Sequence, residues 1–600
     1  MIVPMKKVSL VCLAREAEGV VAKLRSLNVL HIEHQQMPQG PGISFLREDI
    51  NLVKDALNVL SEKEFLGKPC QQKHEARDDW RTIARRIVDS RKRLDQLEEY
   101  SRVLRNRVVE WRHWGDFDPA QVQALAKKNI FVRLYQIPQK EVADLGPDVV
   151  TSVISTQAGT AYCCVISRQQ VELPFKEVSL PHISLTNMGM RLMEDRETIQ
   201  NIREDIRKWI CYRDSFGGIR QKIEKDLEFH EAVCGMGQAG QLAYLAGYIP
   251  FDARNQLLDT AEKEKWGIVI ADPLPEDKVP TLIRNPRWVS IINPVFKLIE
   301  VVPGYKELDI SLWFLVFLSI FFGMLIGDAG YGAIFFALTL WAHRKNGRSV
   351  RDEGPFYLLY LFSGCTILWG VLTATYFGQE WLPAAVRPLV PALRNDRNLQ
   401  GICFLLGAIH LSIGHGWRAL LKWPALNALA DIGWVVILWG AFFLARVLIL
   451  GEAMRPFVPW FFIAGSALVV FFTEPKKNVL RSIGPGLGNL LLNLVNSFTD
   501  IVSYIRLFAV GLATVAIADA FNKMAADVGF NSFVSGLLAA FVILLGHVLN
   551  IVLGPMSVLV HGVRLNVLEF CGHADIKWSG FAYRPLHEER RKDEKITKGE

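Results

Sequence analysis

What the chain lacks sets the first bounds. Its 600 residues hold no Gly-x-x-x-x-Gly-Lys-[Ser/Thr] loop, the backbone cradle that binds nucleotide phosphates. The glycines at 484, 486 and 488 do not match that pattern and sit at the edge of an apolar run. The nine cysteines are scattered, with no Cys-x-x-Cys pair, and Cys163 and Cys164 are adjacent. That usage suits neither a metal site nor a disulfide framework, so reduced thiols acting as small apolar residues are expected. No hydrolase triad or metal-ligand cluster is evident. The expectation is therefore no catalytic residue, metal or cofactor in this chain. The first ten residues lack the long apolar core of a signal peptide, so the first half is expected to stay in the cytoplasm. A net charge of +7 is too weak to argue for a nucleic-acid partner.

What is present is unevenly spread. Residues 1–305 are charged and read as a soluble cytoplasmic domain, 306–575 as a membrane domain, and 576–600 as a cytoplasmic tail. In the first part a strand at Lys7–Leu13, a helix and a strand near Val29–Ile32 precede a long helical stretch. Trp80, Ile83, Ile87, Leu94, Leu97, Leu104, Val108 and Trp111 fall on one alternating three-four register, with Ser90 and Ser101 in its gaps. A seam of that length argues for a coiled coil. After strand-like segments at 131–134 and 162–166, a second helix from Met188 carries Leu192, Ile199, Ile202, Ile206, Trp209, Phe216, Ile223 and Leu227 in a similar register. Gly217-Gly218 is expected to loosen it. The two helices are expected to pair antiparallel, as a rod between two α/β lobes.

Eight spans can be drawn in the second part, at 310–327, 329–343, 356–378, 399–420, 428–450, 456–473, 487–526 and 532–570. Each approaches the length a bilayer requires, and the last two are long enough to tilt. Basic residues Arg344, Lys345, Arg348, Arg351, Arg418, Lys422, Lys476, Lys477 and Arg481 fall in or beside alternate loops, and Arg590, Arg591, Lys592, Lys595 and Lys598 in the tail. By the positive-inside rule both termini are cytoplasmic, although Arg387, Arg394 and Arg397 lie on the other side.

Arg506 and Arg564 lie inside the last two spans. A guanidinium keeps its charge, and at the bilayer centre it costs about 2.5–3.5 kcal/mol on insertion scales. It needs a partner or a hydrated cavity, and it marks an ion path. Asn489, Asn493, Asn496, Asp500 and Ser503 recur every three or four residues in span seven, so a helix puts them on one face. His547, Asn550, Gly554, Ser557, His561 and Arg564 do the same in span eight, with Glu569 beyond. Two polar stripes that each reach an arginine fit a hydrated pathway between protein walls. Gly323, Gly327, Asp328, Gly330 and Gly332 mark a close hairpin between spans one and two, in which Asp328 could also pair with a cation. His410 and His415 are read as packing or hydrogen-bonding residues.

Residues 500–513 (AspIleValSerTyrIleArgLeuPheAlaValGlyLeuAla), 321–332 (PhePheGlyMetLeuIleGlyAspAlaGlyTyrGly), 546–550 and 560–570, with 280–286 and 305–309 at the junction, resemble the membrane subunit a, or subunit I, of V-type and A-type rotary ATPases. The resemblance covers essentially the whole chain. It implies an α-helical membrane protein of about eight transmembrane helices with an N-terminal α/β and coiled-coil hairpin domain. It makes Arg506 the essential arginine facing a rotating proteolipid ring, with His561 and Arg564 on the neighbouring helix. It implies a stator that couples proton or sodium flow to rotation through two half-channels. The implied partners are the proteolipid ring, membrane lipid, peripheral-stalk subunits at the cytoplasmic lobes and, indirectly, the central stalk and ATPase head. Some members of that family carry an acid ten residues before the second arginine, where this chain has Gly554. Asp500 and Glu569 are then the nearest acids for the path. The alternative is a polytopic secondary transporter with a regulatory coiled coil, a class that often shows internal repeats. No such repeat is apparent here.

Overall fold

The computed structural model describes residues 1–65, 79–144, 150–157, 159–169, 171, 173–347, 352–379, 388–473, 479–529 and 532–587. Arg348, Arg351, Arg387, Lys476, Lys477, Arg590, Arg591, Lys592, Lys595 and Lys598 lie outside the described residues, as do the side chains of Arg481 and Asn489. In chain order the first elements are β1 (Met5–Leu13), α1 (Ala17–Leu27), β2 (His31–Glu33), α2 (Pro41–Leu60), α3 (Trp80–Trp111), α4 (Pro119–Ala126), β3 (Phe131–Pro138), β4 (Val150–Gln157), β5 (Thr160–Ser167) and β6 (Lys176–Val178). Then come α5 (Leu185–Trp209), α6 (Arg213–Cys234), β7 (Gly237–Ala239), β8 (Leu242–Pro250), α7 (Arg254–Lys263), β9 (Gly267–Ala271) and α8 (Asn293–Leu298). The chain divides into two compact units, one of Cys12–Leu24 with His34–Leu245, the other of Met1–Val11, Arg25–Glu33 and Ala246–Glu600.

The smaller unit contains a helical rod of four helices where the periodicity of α3 and α5 foretold two. Val53 and Ala56 of α2, Ile87 and Leu94 of α3, Ile206 of α5 and Phe216 of α6 share one core. The signal for α2 was in the sequence: Ile43, Leu46, Ile50, Val53, Leu57 and Leu60 keep the same three-four spacing. A bidentate pair ties α2 to α3, with Arg81 Nε 3.0 Å from Asp49 Oδ1 and Nη2 2.7 Å from Oδ2. The break between α5 and α6 is one 3-10 turn at Ile210–Tyr212. Gly217 and Gly218 lie inside α6, so the expected loosening there is replaced by a break seven residues earlier. At the far end of the rod, an antiparallel sheet of order β4-β5-β3-β6 buries Tyr135, Ile137, Cys163 and Val165. Cys211 is disulfide-bonded, against the expectation of reduced thiols throughout. Scattered spacing cannot reveal a pairing made by the fold. Seven other cysteines are free.

In the larger unit β2, β8, β1 and β9 form a sheet in that order, with Lys7 of β1 opposite Ala271 of β9. The remaining helices are α9 (Ser311–Ile326), α10 (Ala329–Asn346), α11 (Gly354–Thr373), α12 (Asp396–Lys422), α13 (Ala428–Leu450), α14 (Val458–Phe472), α15 (Val479–Ser503), α16 (Ile505–Val528), α17 (Phe533–Ser557) and α18 (Cys571–Ala574). Among the described residues, five helical stretches are long and apolar enough to cross a membrane: α11, α12, α13, Leu490–Val528 and Phe533–Ala574. The apolar helices α9 and α14 are shorter. The protein is an integral membrane protein with a mostly helical fold.

Two irregularities interrupt the last two expected spans. The seventh expected span breaks at Tyr504, between α15 and α16. There Leu507 N bonds Tyr504 O at 3.0 Å, a tightened i to i+3 turn. Beyond α17 the chain winds as π-helix at Val558–Gly562 and again at Leu565–Phe570.

The α9–α10 hairpin is close-packed. Gly327 ends α9 with φ of +69°, a conformation that costs an L side chain energy. Asp328 caps α10 rather than meeting a cation: its Oδ1 accepts from Gly330 N at 2.7 Å and its Oδ2 from Gly378 N at 3.0 Å. A Cβ on Gly370 would stand 2.1 Å from Ala329 N, whereas one on Gly364 of the same helix meets nothing within 4 Å. Gly370→Ala should therefore destabilise the membrane unit by about 1–3 kcal/mol or more, as overpacking does. Gly364→Ala should be neutral or slightly stabilising. Thermal unfolding of the two detergent-solubilised variants compares them, and equal midpoints would refute the packing argument.

Candidate functional site

Arg506 occupies the first turn of α16, just past the Tyr504 break. Its Nη1 lies 3.6 Å from Glu569 Oε1 in the second π-wound segment. Arg564 Nε lies 3.7 Å from the same oxygen. One carboxylate thus stands between two guanidiniums, at distances longer than good charge-assisted hydrogen bonds. The Glu569 side chain is 5% exposed, Arg506 23% and Arg564 54%. Arg506 Nη1 and Glu569 Oε2 are both buried without a hydrogen-bond partner. The site holds two positive charges against one negative, and its arginine donors are not used up.

The polar stripes divide. In α15, Asn493 and Asn496 are exposed, while Asp500 and Ser503 are partly buried. In α17, Asn550 is buried and donates to Thr514 O at 2.9 Å and Tyr331 Oη at 3.2 Å. Tyr331 Oη also lies 2.7 Å from His547 Nδ1. This half of the stripe is locked against α10 and α16. Ser557 and His561 are partly exposed. Beyond Ser557 the π winding abandons the 100° step on which a single face was expected. That same change brings Glu569 in to Arg506.

Several participants were not foreseen. Tyr504 is fully buried and its hydroxyl meets His410 Nδ1 at 2.8 Å, while His410 stacks between Phe317 and Phe570. Asp500 Oδ2 lies 3.0 Å from His573 Nε2. No periodic signal joins residues on such distant helices. A cavity of about 370 Å³ is lined by Asp396, Arg394, Asp519, Leu507 and Phe508 among others, the last two following Arg506 in α16. No group of three or more metal-binding side chains occurs among the described residues.

No protein-family model matches this chain. It is 31% identical over 632 aligned residues to V-type ATP synthase subunit I 1 of Treponema pallidum, covering 98% of this chain and all of that one. The chain belongs to the V-type ATP synthase subunit I family. Subunit I of Borreliella burgdorferi is 30% identical over 612 residues, covering 98% of this chain and 99% of its own. A more distant subunit I, from the A-type ATP synthase of Methanocaldococcus jannaschii, is 25% identical over 388 residues, 57% of this chain and 54% of that one. For a subunit I chain, the Arg506–Glu569–Arg564 cluster is the feature whose chemistry needs explaining.

Proposed function

We propose that this chain is the non-catalytic membrane stator of a V/A-type rotary ATPase. It assembles with a proteolipid ring and with peripheral-stalk subunits at its lobes. Residues 1–305 form the cytoplasmic part and 306–575 the ion-conducting part, crossing the membrane several times with both termini cytoplasmic. The observation that carries this reading is the unsatisfied Nη1 of Arg506 beside a single shared carboxylate. A buried guanidinium nitrogen with a spare donor asks for a second anion.

A ring carboxylate supplies that anion. It crosses the bilayer neutral, with its ion bound, and becomes anionic opposite Arg506. At about 4 Å and an effective dielectric near 20, the new pair is worth roughly 4 kcal/mol before desolvation. That favours ion release yet is small enough to break at each step. Glu569 holds Arg506 loosely in place between passing carboxylates. The cavity lined by Asp396, Asp519, Leu507 and Phe508, the last three in the same helix as Arg506, supports one half-channel.

Affinity purification of this chain from membranes in mild detergent tests the reading. Copurification with a small proteolipid and with ATP-hydrolysing subunits is expected, and the purified assembly should pump ions into vesicles on ATP. A chain that purifies alone and transports a solute without ATP would overturn it.

A further inference from the structure

A second line of titratable side chains leads away from the arginines. Asp500 Oδ2 lies 3.0 Å from His573 Nε2. His573 Nδ1 lies 2.8 Å from His415 Nε2. His415 Nδ1 lies 3.4 Å from Asp431 Oδ1. Asp431 Oδ2 accepts from Lys422 Nζ at 2.6 Å, and Arg418 Nε stands 3.5 Å from Asp431 Oδ1. The middle is sealed: the side chains of Asp431, His415 and His573 are 3%, 6% and 9% exposed. The ends are open, Asp500 at 30% and Lys422 at 35%.

The donor inventory of this chain is incomplete. Between the two carboxylates there are three gaps, each of which needs one hydrogen. A neutral imidazole brings one N–H and one lone pair, so two of them fill two gaps. Whichever tautomers are drawn, at least one gap faces lone pair to lone pair. A third proton closes it and leaves an imidazolium between two carboxylates. We infer that Asp500, His573, His415 and Asp431 form a proton wire serving the site at Arg506, and that the ion this subunit carries is the proton. This rests on the stator reading above.

The step conserves atoms and charge. A proton arriving at Asp431 is taken by His415 Nδ1, which makes that ring cationic. His415 passes its Nε2 proton to His573 Nδ1, and His573 passes its Nε2 proton to Asp500. The same hops run backwards for the opposite flow. One proton leaves for each that enters, and each ring resets by turning over to present a free nitrogen toward Asp431 again. Arg418 and Lys422 keep Asp431 anionic between transfers. A hard metal cation needs a shell of oxygen ligands, and the middle of this chain presents ring nitrogens in direct contact. Carboxylate and histidine chains within membrane segments are proton relays by default, and imidazole is the side chain suited to the task near neutral pH.

The test uses the whole complex reconstituted in vesicles. Glutamine bonds through an amide N–H and C=O but carries no exchangeable charge. His573→Gln should assemble normally, while ATP-driven acidification falls by about 10²-fold, the scale of losing a positioned proton carrier. His415→Gln should do the same and serves if the first variant misassembles. A purely structural clamp predicts that both retain pumping, and pumping at the unmodified rate in either overturns the wire. The unmodified complex gives a check that needs no variant: acidification should proceed in sodium-free buffer, and an absolute requirement for sodium overturns the assignment. Arg506→Ala run alongside separates the two levels. If it too pumps normally, the stator reading has failed; if it alone is dead, only the wire has.

Discussion

An Arg506→Ala complex is expected to assemble, to hydrolyse ATP, and to move no ions. On the proposed stator role, the substitution removes a charge that makes ionisation of a ring carboxylate favourable at this depth. Roughly 4 kcal/mol of pairing at an effective dielectric near 20 sets an upper bound of about a thousandfold on the shift in the release equilibrium, before desolvation is subtracted. Rotation, where it persists, would be uncoupled, because nothing fixed then bars an ion from slipping past. Arg506→Lys should recover little. Lysine is a compact ammonium with no planar fork and can lose its proton when buried, whereas in the proposed mechanism Arg506 serves Glu569 and a passing carboxylate together. ATP-driven uptake into vesicles, measured beside ATP hydrolysis and complex yield, decides it. Wild-type uptake in the alanine variant would remove Arg506 from the mechanism.

The second large effect is expected at Glu569. Glu569→Gln keeps the shape and removes the acid that, among the described residues, lies within 4 Å of both guanidiniums. Breaking a buried pair from one side typically costs 3–5 kcal/mol, because the remaining charge is left uncompensated. Here Arg506 and Arg564 are partly exposed, and the cost should sit at or below the bottom of that range. The variant should unfold at lower temperature, and its pumping should fall with Arg506 no longer held toward the ring. Glu569→Asp should recover stability in part but not position. If the glutamine variant matches the parent in both melting and transport, the carboxylate has no bracing role.

Much of this was legible in the chain itself. Apolar spans, rod periodicity and the cost of Arg506 in a bilayer all follow from local pattern, and the hairpin glycines announced a close approach. The misses share a cause. His573, His415 and Asp431 lie on three different helices, and only tertiary packing brings them within hydrogen-bond reach. The face expected for span eight held through Asn550 and Gly554, then failed where the helix changed its winding. The break at Tyr504 lies amid residues that continue as a perfectly good apolar helix, so composition could not place it.

The winding past Ser557 has a consequence for how such a chain can vary. A π turn holds about one residue more than an α turn. Val558–Gly562 and Leu565–Phe570 therefore act as slack in the register between His561, Arg564 and Glu569. Remove one residue there and the segment can relax to an ordinary α-helix without disturbing α17 or α18. Wound that way with no residue removed, the residues beyond would instead swing by about 100° around the axis. Glu569 would then face away from Arg506, with every one of the named side chains still present. In this segment, length is itself a functional property, and a comparison that scores only which residues occur would pass over its loss.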